Sequence, residues 1–289
     1  MCNSCKQLLA KLDEPTIIYL MRGERAAAKI EQKGFAKIDR VLSELEDQAV
    51  RDLMEGKEKP PEPNFTPMLL EIIYQAMQAG FDVEPRLPKN TAKLSAGKPT
   101  KPPIKIPSNP KELRLWWDLV RHFKAPPRIQ ILADKIKWAY IRKVQSIWTK
   151  IGEDFREGKV WNQSIIREEM KKIVGVVRSR AHTIVATETT RYFNQATVNY
   201  YAKNSAITHY LFIAVRDHKT TPWCKTRQGL IYEKDSAVFI KEQPPCHWRC
   251  RSRVVPLSPF NPKHKLLIAD KSIQRKNNKP APLPEGWNE

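Results

Sequence analysis

Three of the chain's five cysteines lie between Asp217 and Cys250. The stretch reads DHKTTPWC, then GLIYEKDSAVFI, then PPCHWRC, so Cys224 stands on one side of a short insert and a His247-x-x-Cys250 pair on the other. Thiolate and imidazole are the ligands that zinc takes in structural sites, usually as two clusters separated by a loop. The expectation is a knot closed by Cys224, His247 and Cys250, with zinc as a structural cofactor. A fourth ligand is open between Cys246, Asp217 and a water. Cys246 adjoins His247, and neighbours in an extended segment point to opposite sides, so both ligate only where the backbone turns. Pro244 and Pro245 favour such a turn. Two plainer chemistries use the same residues: a disulfide, disfavoured in a reducing compartment, and free thiols packed as small apolar groups. No catalytic residue is assigned and the chain is expected not to be an enzyme. There is no His-Glu-x-x-His pair to supply a base, and after Pro245-Cys246 the next cysteine comes one position late for a cytidine deaminase.

The rest of the chain must position this knot. It has 289 residues, enough for one or two domains with a proper core. Its 51 basic against 31 acidic side chains leave a net charge of +20, which points to a polyanionic environment, nucleic acid or an acidic protein. The first residues, MCNSCKQLLAKLDEP, lack the apolar stretch of a signal peptide, and no apolar run is long enough to span a membrane. A soluble protein made in a cytoplasm is expected. Cys2 and Cys5 at the start read as part of a frayed terminus.

Apolar residues at three- and four-residue steps predict helices over 24–56 and 66–80. Residues 81–110 are rich in Pro and Lys and read as a linker. A short helix carries Trp116 and Trp117. The next, over 128–151, is the most basic of the chain: Arg128, Lys135, Lys137, Arg142, Lys143 and Lys150 stand against the single acid Asp134. A phosphate-facing surface or a plain solvated one both fit. Asn162 or Ser164 caps a helix to about 174, and a long one follows over 178–203. Glu188 falls on its apolar stripe, where an unpaired charge is costly; Arg191 one turn on, Arg180 two turns back and the polar groups of the cysteine knot are its candidate partners. Strands are predicted over 208–215, 229–232, 238–240 and 253–257, and an extended basic tail beyond. The fold class is α+β, mainly helical, with a small C-terminal antiparallel sheet carrying the Cys/His knot. The divisions are 1–80, 81–110, 111–257 and 258–289.

With these residues in place, residues 128–257 resemble the phage head morphogenesis family, the minor head proteins similar to phage Mu protein F. The resemblance rests on Thr187-Glu188 with Asn194 downstream, then Asp217, Thr220 and Cys224, then Pro244-Pro245, His247 and Cys250-Arg251. Relatives often carry an Arg before Thr-Glu, where this chain has Ala186, and a second Cys after Cys-Arg, where it has Ser252. The resemblance implies a minor head protein of a tailed phage or prophage, in the capsid interior of the virion and in the host cytoplasm during assembly. Its implied partners are the portal protein and packaged double-stranded DNA, with a scaffold or major capsid protein as further candidates. It also implies a structural role for Thr187, Glu188, Asn194, Asp217, Thr220 and Arg251. Two alternatives come from the residues alone. One is a zinc-dependent nuclease or other hydrolase acting on nucleic acid; the other is a stand-alone nucleic-acid-binding module.

Overall fold

The computed structural model describes residues 8, 10–57, 59–82, 111–115, 117, 126–215, 217–275 and 281–284. Cys2, Cys5, Trp116 and most of the expected linker lie outside them. The described chain is mainly helical, with a small antiparallel sheet near its C-terminal end. It divides into two compact units, one of residues 1–30, 73–119 and 186–289, the other of residues 31–72 and 120–185.

The second unit is all helix. It takes most of α1 (Glu14–Met54), the start of α2 (Thr66–Asp82), all of α3 (Pro127–Arg156) and the first half of α4 (Gln163–Ala202). Pro127 opens α3, where its missing N–H is no loss, and Gly158 follows its end at φ 75°. An apolar stripe of α3 is buried from Ile129 through Ile136 and Val144 to Ile151. Tyr140, within it, donates to the Leu45 carbonyl at 3.3 Å. Gly34 of α1 permits a close approach: a β-carbon there would meet Val185 at 2.8 Å.

The first unit holds the sheet, in the order β2–β1–β3: β1 (His209–Ile213), β2 (Ile231–Glu233) and β3 (Arg253–Leu257). Tyr210 pairs with Tyr232 and Pro256, and Leu211 with Ile231 and Val255. Pro256 is tolerated because β3 is an edge strand. Side chains alternate across a strand, so Tyr210, Phe212, Tyr232 and Val254 share one face. They pack with Tyr201, Val238, Phe239 and the three cysteines. Leu211, Ile231, Val255 and Leu257 share the other, under Leu12, Tyr19, Leu20, Phe193 and Leu267. Both faces are covered, which is why β1 reads as an unbroken apolar run.

Four expectations change. α1 begins at Glu14, well before residue 24. The two helices expected over 162–203 are one, α4, because Gly175 stands in open space inside it, and a helical glycine costs only about 1 kcal/mol. The strand expected over 238–240 is the helix α6 (Ala237–Glu242). The β-prone run Val-Phe-Ile is overruled by its cap, since Ser236 Oγ accepts from the Phe239 N–H at 3.2 Å. The extended tail folds in part: Asn261 caps α7 (Pro262–Ala269), whose Leu267 is buried. Beyond it, Arg275 N–H donates to the Ile231 carbonyl at 2.7 Å in a parallel bridge along the free edge of β2.

Candidate metal centre

Cys224 sits on α5 (Pro222–Arg227), whose cap Thr221 accepts from the Cys224 N–H. His247 and Cys250 lie on the loop between α6 and β3, where the Cys250 N–H donates to the His247 carbonyl at 3.2 Å. The ligand atoms of Cys224, His247 and Cys250 all lie within 4.8 Å of one another. Cys224 Sγ is 3.8 Å from Cys250 Sγ and 3.2 Å from His247 Nε2. A zinc tetrahedron with ordinary bond lengths has S–S edges of about 3.8 Å and S–N edges of about 3.6 Å, so the donors fit such an ion after a shift of a few tenths of an ångström. His247 Nδ1 is 2.8 Å from the Trp248 carbonyl and donates to it, which turns Nε2 toward the thiols.

The electrostatics favour a charged pair in this pocket. Cys250 is held well below the ordinary thiol range by the Cys224 hydrogen bond and by His247. Cys224 is pushed up by Cys250 and by burial. Burial opposes an imidazolium at His247, yet its bonds to Cys250 raise its pKa overall. Both thiols are essentially inaccessible, with Cys224 at 1% and Cys250 at 0% exposure. Cys246 stands apart from the trio, its thiol donating to the carbonyls of Glu242 at 3.3 Å and Gln243 at 3.6 Å. Asp217 is also engaged elsewhere. Arg251 grips its carboxylate with two bonds of 2.8 and 2.6 Å and holds its pKa well below the usual range, and Thr220 donates to it at 3.0 Å. Thr220 bonds the Val215 carbonyl as well. Asp217, Thr220 and Arg251 therefore form a clasp that ties the loop after β1 to the start of β3.

Helix α4 is locked onto this loop by two polar side chains. Thr187 Oγ1 accepts from the Arg249 N–H at 2.9 Å, at a residue whose φ is 58°. Asn194 inserts its amide beside β3, donating to the Ser252 carbonyl at 3.0 Å and accepting from the Val254 N–H at 3.1 Å. Both are fully buried. Glu188 pairs with Arg191 at 3.3 Å on its own helix. Replacing Asn194 with leucine leaves the Ser252 carbonyl and the Val254 N–H buried without that amide. We expect a loss of about 2–4 kcal/mol in urea unfolding, whereas glutamate-to-glutamine at exposed Glu157 leaves the midpoint unchanged.

The basic residues of α3 do not converge on one site. Lys137 pairs with Glu62 at 2.6 Å, and Lys150 lies over the Trp161 ring at 5.5 Å. Lys135 and Arg142 line a groove with Trp138, Lys143 is exposed, and Arg128 is half-buried. One polar centre was not anticipated from the sequence at all. Glu242, with no side-chain exposure, accepts from Arg227 Nε at 3.0 Å, Tyr232 at 2.8 Å, Arg275 at 2.9 Å and the Ala281 N–H at 2.9 Å. Arg227 in turn stacks 3.4 Å above the Trp223 ring.

Residues 147–255 match the family model described as Phage Mu protein F like protein. The match takes in every motif residue from Thr187 to Arg251 and all three candidate ligands. No curated protein and no solved structure matches the chain. Among the described residues, no helix is long and apolar enough to cross a membrane.

Proposed function

From the Phage Mu protein F like domain at residues 147–255 we propose that this chain is a minor head protein of a tailed phage or prophage. It acts in head morphogenesis inside the capsid and associates with the portal and with packaged DNA. The observation that carries this reading is the match itself, over a stretch whose motif residues serve as ties between α4, the cysteine loop and β3. The net charge of +20 supports confinement with a polyanion, since neutralised phosphates release counterions. A structural role for the motif, rather than catalysis, is supported by burial: a substrate has no path to thiols that are fully covered.

In the same reading Cys224, His247 and Cys250 hold a structural zinc, with a water or the neighbouring Ser252 hydroxyl at the remaining position. Bound there, the ion would cross-link α5 to the loop before β3 and keep both thiols deprotonated. Mass spectrometry of gradient-purified heads from the induced source strain tests the role. We expect a few to tens of copies per portal ring. Absence from mature heads and from precursor particles alike sinks the proposal.

A further inference from the structure

A groove on α3, outside the matched stretch for most of its length, presents a different chemistry. Trp138 is 53% exposed and Ile131, seven residues earlier, is 54% exposed. Lys135 and Arg142 stand three residues before and four after Trp138, hence on the same helical face. Arg180 and Asp134 complete the lining. Lys135, Arg142 and Arg180 are all exposed, while Asp134 accepts from Gln130 at 3.1 Å. Arg142 Nε donates to the Trp138 carbonyl at 3.2 Å, and Lys137 approaches the ring centroid to 5.8 Å. The indole thus has a fixed neighbourhood of cations.

We infer that this groove binds single-stranded nucleic acid, with an unpaired base stacked on Trp138 and the flanking phosphates on Lys135, Arg142 and Arg180. Three cations against one carboxylate exclude a purely apolar occupant and match a polyanion. The indole then selects among polyanions. The outside of a duplex offers phosphates and sugars while its base faces are stacked within, whereas an unpaired base offers a π-face to an aromatic platform. The inference goes beyond the head-protein role and does not depend on it: heads that lack the chain would leave it standing.

The test is fluorescence anisotropy of the full chain with a labelled oligo-dT of about 20 nucleotides, beyond the length one such platform covers, and with a blunt duplex of equal length, across a salt series. Trp138→Ala should weaken oligo-dT binding about tenfold, and Trp138→Phe, which keeps a ring, should stay within about threefold of the parent. Removing charge in an Arg142→Gln, Arg180→Gln double variant should flatten the salt dependence. Trp138 is a surface residue, and equal melting curves check that its variants fold. The inference is overturned if Trp138→Ala binds oligo-dT as tightly as the parent, or if the duplex binds equally well with the same dependence on Trp138. Binding of poly-glutamate but neither nucleic acid would assign the groove to an acidic protein, and overturns it too.

Discussion

Replacing Glu242 with alanine should lower the melting temperature of the protein by roughly 10 °C at neutral pH, from a loss of about 3–5 kcal/mol. The side chain is fully enclosed and its carboxylate answers Arg227, Arg275, Tyr232 and one backbone N–H. Taking it away strands Arg227, itself 10% exposed at the side chain, beside a pocket of the wrong shape. Burial works against the charged form of Glu242, but the bonds from Arg275, Ala281, Tyr232 and Arg227 outweigh it and bring the pKa down from 4.5 to about 2. A depressed folded-state pKa means that the stabilisation is complete above pH 4.5 and is lost as pH falls toward about 2. Parent protein should therefore lose stability through that window more steeply than Glu242→Gln, whose amide does not titrate. A Glu242→Ala protein melting within about 2 °C of the parent, less than 1 kcal/mol for a unit of this size, would contradict the assignment.

The second large effect concerns the metal. Purified protein should carry about one zinc per chain, and a strong chelator should lower the melting temperature by more than about 10 °C, because the binding free energy of a structural zinc is spent on folding. Cys224→Ser and Cys250→Ser should each lose the ion and much of the soluble yield. Cys246→Ser should keep it, since that thiol is turned to the end of α6. The two sets of variants separate zinc loss from damage to the core, as all three cysteines pack in the same cluster. Zinc-free protein with an unchanged melting curve in chelator would reduce the trio to buried thiols.

The contrast between Cys246 and Glu242 shows what a sequence can carry. Spacing alone brought Cys224, His247 and Cys250 together, because ligand chemistry constrains type and separation at once. It left Cys246 open, since which way a thiol turns beside His247 depends on how α6 ends, and the residues forming α6 look like a strand. Glu188 betrayed itself by standing on an apolar stripe, but helix geometry left Arg191 and Arg180 both in reach, and the structure pairs it with Arg191. Glu242 gave no such sign. It follows a short run of apolar residues like many surface glutamates, and its partners Arg227 and Arg275 lie 15 and 33 residues away with no periodicity to link them. Asn194 was visible only through the family resemblance, because an asparagine late in a helix does not announce that its amide stands in for a strand. The tail misled for a related reason: a Pro-rich, basic composition describes most of it, yet buried His264 and Leu267, with Ile268 partly covered, suffice to dock about two turns of helix.

The ties between α1 and α7 bear on how the protein comes off the ribosome. Thr16 and Asp13 meet His264 at 3.0 and 3.1 Å, and Leu12 accepts from Lys263 at 3.0 Å, across 248 to 251 residues of chain. The unit that contains them needs residues 186–289, whereas the purely helical unit is complete once residue 185 has emerged. At ordinary elongation speeds the interval between the two is about 5–20 s. Through that interval Leu12, Tyr19 and Leu20, destined for the sheet's underside, have no sheet to cover. These apolar side chains stay uncovered until β3 has emerged to complete the sheet and α7 to close over it.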